Sequence, residues 1–231
     1  MDYFSTLAAT WPGVTESREG WTLRRATDAG NRVSSATRED ARADPEAAAR
    51  AMRAMGQPPL FMIRDGEEDL DSALGALGYL PEDPSVILAA PAAQLRIEGA
   101  ERAVIRCDAP LARMREIWRE NDIGAARLEV MERASEPRTF LLARDGDRPA
   151  GCAFLAAAGD VAMIHALAIA PFARRKGLGT RATRAAAAWA LENGAAELAL
   201  AVREDNAAAL ELYSRLGFET RARYRYRRAP S

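Results

Sequence analysis

Apolar and polar positions along this chain alternate between two periods. In "LARMREIWREND" (111–122), Leu111, Met114, Ile117 and Trp118 recur three and four residues apart, the spacing of one helix face. In "FETRARYRYRR" (218–228), Arg221, Arg223, Arg225 and Arg227 alternate with Ala222, Tyr224 and Tyr226, the period of a strand. Other segments from about residue 102 onward fall in with these two. "AVIRCD" predicts a short strand, and "AARLEVMER", after Gly124, a second helix. "TFLLARDGDRPAGCAFLAA" predicts two strands around a hairpin turn at Asp145-Gly146-Asp147. "VAMIHALAIA" is a strand closed by Pro171, which has no N–H to give a ladder. Residues 179–192 predict a helix ended by Asn193-Gly194, and "AELALAV" (196–202) a buried strand. "DNAAALELYSRLG" predicts a helix capped by Asp205 or Asn206 and stopped by Gly217. The resulting order, βααβββαβαβ, predicts an α/β (α+β) fold, a mixed, mostly antiparallel sheet flanked by helices.

The first 95 residues are less regular. "GWTLRRATDAGNRVSSAT" predicts one or two strands, and "DPEAAARAMRAMG" a helix with Pro45 at its start. "PPLFMIRDG", "EEDLDSALGALG" and "SVILAA" follow as strand, helix and strand. "LGALGYLPEDPSVILAA" parallels "LYSRLGFETRARYRYRR", which predicts a degenerate internal duplication. The expected domains are residues 1–95 and 102–231, divided near "PAAQLRIEGAER".

Composition narrows the partners. The net charge of −1 gives no global field to draw nucleic acid or an anionic membrane, so an anion site would have to be local. The longest apolar stretch, about ten residues, falls well short of the ~20 that span a bilayer. "MDYFSTLAATWPG" lacks a basic leader region, and a cytoplasmic location is expected. Cys107 and Cys152 form no disulfide framework, and with one histidine there is no structural metal site. Cys152, within an apolar run, reads as a small core residue.

Candidate chemistry centres on "PFARRKGLGTRATRA" (171–185). Arg174, Arg175 and Lys176, the chain's only lysine, lead into Gly177 and Gly179, and Thr180 opens the helix. A glycine-bearing loop between a strand and a helix N-terminus presents free N–H groups and the positive end of a dipole to an anion. A helix start with a solvated basic face is the plain alternative. A Walker A loop is excluded because Lys176 precedes the glycines. The dinucleotide fingerprint is met by Gly177, Gly179 and Ala182, with Glu204 or Asp205 as ribose acid, but too little chain follows for the further βαβ units it needs.

R-x-x-G-x-G, from Arg174 through Gly177 to Gly179, together with "AVREDNAAALELYSRLGF", resembles the GNAT N-acetyltransferase superfamily over about residues 102–228. The resemblance implies a GNAT-like tandem with one intact domain and acetyl-CoA as acetyl donor, CoA being the product. It implies that Arg174, Arg175, Lys176, Gly177, Leu178, Gly179 and Thr180 hold the cofactor diphosphate, and that Leu167 and Ile169 offer main-chain groups to pantetheine. It places Asn206 beside the pantetheine arm or an ordered water, with helix capping as its plain role. Tyr213 falls where many relatives carry a general acid; a phenol giving its proton to a thiolate is uphill by roughly 2 kcal/mol from reference pKa values. The alternative for Tyr213 is packing alone. Many relatives carry a glutamate near the position of Met163, which cannot accept a proton. His165, two residues on and on the same strand face, is the candidate base, against the plain reading of a hydrogen-bonded core histidine. Glu129 and Glu132 are weaker candidates.

The first hypothesis is therefore an acetyl-CoA-dependent N-acetyltransferase acting by direct attack on a primary amine of a small molecule, amino acid or peptide N-terminus. Nucleic acid and membrane are not expected as partners, and a homodimer stays open. A CoA-binding sensor without turnover is the second hypothesis and a nicotinamide dehydrogenase the third. The arginine row from 221 to 227 would be either an acidic-acceptor surface or a solvated strand face.

Overall fold

The computed structural model describes residues 2–97, 99 and 104–230. Its contacts divide the chain into two compact units. Met1–Pro12, Ile87–Val202 and Asn206–Arg221 form the larger, and Gly13–Val86, Arg203–Asp205 and Ala222–Ser231 the smaller. This partition differs from the expected cut between residues 95 and 102, part of which lies outside the described residues. The first twelve residues belong with the C-terminal fold, and the segment from Ala222 onward belongs with the N-terminal one.

Helix α1 (Tyr3–Thr10) opens the chain and belongs to the larger unit. The smaller unit then builds β1 (Val14–Arg18), β2 (Trp21–Arg25), β3 (Ala36–Arg38), α2 (Pro45–Ala54), β4 (Leu60–Arg64), α3 (Glu68–Ala76) and the first half of β5 (Leu80–Pro91). The larger unit continues with the rest of β5, α4 (Ala92–Leu95), β6 (Val104–Cys107), α5 (Ala112–Arg119), α6 (Ala125–Arg133), β7 (Arg138–Asp145), β8 (Arg148–Ala158), β9 (Val161–Ile169), α7 (Leu178–Glu192), β10 (Glu197–Arg203) and α8 (Ala207–Arg215). Strand β11 (Glu219–Arg228) starts in the larger unit and passes into the smaller at Ala222. Ala103, in the expected strand "AVIRCD", lies outside the described residues.

In the smaller unit the strand order is β1-β2-β3-β4-β11. β11 runs antiparallel to β4, with Tyr224 opposite Arg64 and Arg228 opposite Leu60, whereas β3 and β4 are parallel. Trp21, Phe61 and Tyr79 pack edge to face at 5.3 and 5.5 Å and anchor its core. In the larger unit the order is β5-β10-β9-β8-β7-β6. The hairpin turn falls at Gly146, with φ 62°, between β7 and β8. The β9–β10 pair is parallel, and the ladders from β6 to β9 are antiparallel. The mixed, mostly antiparallel sheet flanked by helices is thus observed.

Two helix stops carry the sign of a duplication. α8 ends with Phe218 N–H donating to the Tyr213 carbonyl and Gly217 N–H to that of Ser214, with Gly217 at φ 81°. α3 ends with Tyr79 N–H donating to Leu74 and Gly78 N–H to Gly75, with Gly78 at φ 82°. Both are left-handed glycine terminations followed by an aromatic residue and a strand.

The arginine row of β11 is largely a solvated face, with Arg221, Arg223 and Arg225 exposed, and each of its arginines is held by a carboxylate of the chain. Arg225 and Arg227 both grip the Asp71 carboxylate on α3, Arg227 through Nε at 2.8 Å and Arg225 through Nε at 3.0 Å. Arg223 pairs with Glu204 at 2.7 Å, and Arg221 with Glu219 at 3.0 Å. The Arg227 hydrogen bonds, and those of Arg225 after them, hold the Asp71 carboxyl well below the usual carboxylate range against the opposing effect of burial.

Asp71→Asn should therefore destabilise the smaller unit by about 2 kcal/mol at pH 7, since it strands two arginines around a neutral amide. A carboxyl with a depressed folded-state pKa contributes fully above its unfolded pKa of about 3.9, and that contribution fades as pH falls through the folded value. Urea unfolding of both proteins should show the gap constant from pH 7 to about 5 and closing below about 4.

Candidate functional site

The site grows from a parallel ladder that stops short. β9 and β10 pair from Val161↔Glu197 to Ile164↔Leu200, yet β9 continues to Ile169 and β10 to Arg203. Beyond that point the two strands leave main-chain groups without a ladder partner, which a ligand can satisfy. On its other edge β9 carries a bulge. Phe154 faces His165 and Cys152 faces Ala168, so Ala166 and Leu167 together oppose Ala153.

Ala166 sits at φ 51°, a left-handed conformation that costs an alanine roughly 1–2 kcal/mol. Its carbonyl accepts a 2.8 Å hydrogen bond from Trp118 Nε1 on α5, an interaction of comparable size, about 1 kcal/mol. Trp118 is fully buried and edge-on to Phe140 at 6.1 Å. The helical spacing of α5 marks Trp118 as a core residue; nothing in the sequence marks its indole as the tether of a bulge.

After Ile169 the chain makes one 3₁₀ turn (Pro171–Ala173) and enters the glycine loop. Gly177 caps α7 at φ 77°, ψ 8°, and no side chain bonds to the cap. Arg181 N–H is the first to find a carbonyl, that of Gly177, so the amides of Leu178, Gly179 and Thr180 lie ahead of the helix ladder at its positive end. A Cβ on Gly179 would meet Leu212 Cδ2 at 3.0 Å, so that glycine lets α7 approach α8. The counterpart in the smaller unit is closed. There Asp44 caps α2 by accepting from Glu46 and Ala47 N–H at 2.9 and 3.1 Å, and Pro45 follows. A carboxylate of the chain already occupies that helix end.

The loop cations divide their work. Arg174 donates to the Ile169 carbonyl at 3.2 Å and to Asn121 Oδ1 at 2.9 Å, fixing the loop to the end of β9. Lys176 pairs with Asp145 of the hairpin at 2.8 Å and is half exposed. Arg175 is exposed at φ 62°. Asn121 and Asp145 were not legible as loop supports, because each lies tens of residues away.

On α8, Asn206 Oδ1 accepts from Ala209 N–H at 3.1 Å and serves as the helix cap. Tyr213 is buried, packs on Phe218 at 5.2 Å, and has its phenol pushed up by burial, opposed only in part by a hydrogen bond with Thr183. Thr183 in turn donates to the Gly179 carbonyl at 2.9 Å, which links Tyr213 to the glycine loop.

The candidate bases lie elsewhere. His165 is 3% exposed and held by α1: its Nε2 is 2.9 Å from Thr10 Oγ1, and its ring lies 5.0 Å from that of Trp11. Thr10 spends its own proton on the Thr6 carbonyl at 2.8 Å, so Nε2 carries the hydrogen and His165 donates. Met163 is wholly buried. Glu129 and Glu132 stand exposed on α6 beside Arg133 and Arg115. Cys152 is a core residue, as expected, its thiol pushed up by burial. Among the described residues no cluster of His, Cys, Asp or Glu is arranged to hold a metal ion, and no helix is long and apolar enough to cross a membrane.

Residues 107–218 match the acetyltransferase (GNAT) family. The chain is 32% identical over 104 residues to an uncharacterized N-acetyltransferase of Bacillus subtilis (strain 168), a stretch covering 42% of this chain and 40% of that one. It is 38% identical over 102 residues to a mycothiol acetyltransferase of Clavibacter sepedonicus, covering 43% of this chain and 34% of that one. The matched stretch therefore spans two fifths or less of these relatives' own lengths. Over 99% of the chain, the fold resembles a GCN5-related N-acetyltransferase from Kribbella flavida, 95% of which is covered, at a TM-score of 0.74 and 20% identity. It also resembles a tandem GNAT protein from the clavulanic acid biosynthesis pathway, over 85% of this chain and 76% of that one, at a TM-score of 0.59 and 14% identity. Both likenesses concern the fold, and the second is consistent with a tandem here.

Gly177→Ala should destabilise the protein by about 1 kcal/mol in thermal unfolding, because alanine must be forced to φ 77° although its methyl meets nothing within 4 Å. In calorimetric titrations with inorganic pyrophosphate, the same change should weaken binding by about tenfold if the loop amides receive the anion.

Proposed function

Residues 107–218 form an acetyltransferase domain of the GNAT family, and from that premise we propose that the protein moves an acetyl group from acetyl-CoA to a primary amine. The observation that carries this reading is the left-handed Gly177 cap, with three amides ahead of the α7 ladder, beside strands that part after Ile164 and Leu200. The fit is specific to this helix, because the matching end of α2 is filled by Asp44. Of these two helix starts, that of α7 is the diphosphate site in this reading.

When bound, acetyl-CoA supplies an acyl thioester; everything else falls to the chain. The amides of Gly177, Leu178, Gly179 and Thr180 receive the diphosphate, and Arg175 and Lys176 add charge at its rim. Arg174 acts on the loop's geometry through Ile169 and Asn121. Leu167 and Ile169 offer main-chain groups to the pantetheine arm. Asn206, with Oδ1 committed to its cap, has its Nδ2 hydrogens to give. Tyr213, its phenol pushed up by burial, stays protonated at neutral pH, and turning its O–H from Thr183 would make it a donor to the leaving sulfur rather than a base.

The base is supplied weakly, if at all. We assign His165 to holding α1, since its Nε2–H is spent on Thr10 and its ring packs against those of Trp11 and Phe154. An α-amine, with a reference pKa near 8, deprotonates in water far more readily than a lysine near 10.4, and is the acceptor class this site favours. The burial of His165 supports a second reading, a CoA-binding sensor that does not turn over.

The test is thiol release from acetyl-CoA at pH 8 with dipeptides, free amino acids and small polyamines as acceptors. We expect release with α-amines, and Tyr213→Phe should lower kcat by roughly 10- to 100-fold with KM for acetyl-CoA little changed. CoA binding without release for any acceptor would establish the sensor. No CoA binding at millimolar concentration would end both readings.

A further inference from the structure

We infer that Trp118 is a positioning residue for acyl transfer: its indole N–H holds the Ala166 carbonyl and thereby aims the Leu167 N–H, the donor suited to the acyl oxygen. The inference rests on the function proposed above.

Three observations lead to it. Ala166 holds a left-handed φ of 51° that glycine would adopt freely and alanine adopts only when its surroundings impose it. Among the described residues, the group that meets its carbonyl is Trp118 Nε1, at 2.8 Å from the fully buried face of α5. Finally, Ala166 and Leu167 fall at the bulge, outside the regular registers of β8 and β10, so regular pairing does not by itself set their peptide group. A peptide unit is planar and trans, so its C=O and N–H point in opposite directions. Fixing the carbonyl of Ala166 on one side therefore fixes the N–H of Leu167 on the other. A buried indole also needs an acceptor for its own sake, and the purely structural role predicts that any well-packed aromatic ring would serve. The positioning role predicts that the N–H alone matters.

Trp118→Phe, Phe140→Leu and the double variant Trp118→Phe/Ala166→Gly separate the two. Phe140→Leu disturbs the same packing without touching the clamp. Using acetyl-CoA and the amine that the wild type uses fastest, Trp118→Phe should lower kcat by roughly 10- to 100-fold while KM for acetyl-CoA stays within about threefold. Phe140→Leu should lower the melting temperature with kcat within about twofold. Ala166→Gly in the Trp118→Phe background should restore at least part of the lost kcat, because glycine keeps the bulge without a tether. In amide NMR spectra without acetyl-CoA, the Ala166 and Leu167 signals should move in Trp118→Phe and not in Phe140→Leu. The inference is overturned by an unchanged kcat in Trp118→Phe, by an equal loss in Phe140→Leu, by no rescue from glycine, or by unmoved Ala166 and Leu167 signals. A wild type that releases no thiol from acetyl-CoA overturns the acyltransferase reading instead, and the two amide signals then decide whether the clamp itself exists.

Discussion

Main-chain groups away from water must find partners, and the site described above exists because β9 and β10 stop supplying them to one another after Ile164 and Leu200. Ordinary parallel strands would continue the ladder to the end. Here the bulge at Ala166 and Leu167 turns β9 out of register, and the chain compensates with a buried indole on one side and an arginine, Arg174, on the Ile169 carbonyl. The glycine loop, the cap at Gly177 and the short hydrogen-bonded path from Gly179 through Thr183 to Tyr213 are arranged around that opening. The loop and its cap present backbone polarity, and the path to Tyr213 adds two side-chain hydroxyls to it.

The two units apply the same architecture to different ends. Each has a parallel strand pair, a helix stopped by a left-handed glycine, and an aromatic residue just beyond. At the helix N-terminus they diverge. α2 begins Asp44-Pro45 and satisfies its own amides with a carboxylate, worth about 1 kcal/mol to the helix. α7 begins with glycine and has no side-chain cap, so its first amides are not taken by a carboxylate of the chain. A cap and a ligand would compete for the same N–H groups, and the two helix starts differ in whether the chain itself takes them.

Local chemistry was legible in the sequence; distant chemistry was not. The helix stop at Gly217, the hairpin at Gly146, the amphipathic α5 and the cap at Asn206 depend on neighbours within a few residues, and each appears where periodicity and turn residues put it. α1 and β1 were missed for opposite reasons. "YFSTLAAT" shows little contrast between faces, and "VTESR" is exposed along its whole length, so neither carries the alternation that burial imprints. The left-handed Ala166 could not be foreseen, because alanine is no turn former and its tether lies 48 residues away. The arginine row was legible as a strand, but its acid partner Asp71 stands more than 150 residues earlier. His165 was placed on the correct strand; its depth depends on α1, and the first dozen residues gave no hint that they cover it.

That cover has a consequence for biosynthesis. Thr10 and His165 are 155 residues apart, so at ribosomal rates of about 5–20 residues per second the helix carrying Leu7 and Trp11 waits on the order of ten to thirty seconds before its binding face on β8 and β9 has been translated. Through that interval its indole and leucine have no native surface to bury against. Helix α1 can reach its native place only after β8 and β9 have been made, so the burial of Leu7 and Trp11 is a late event for so early a segment of this sequence.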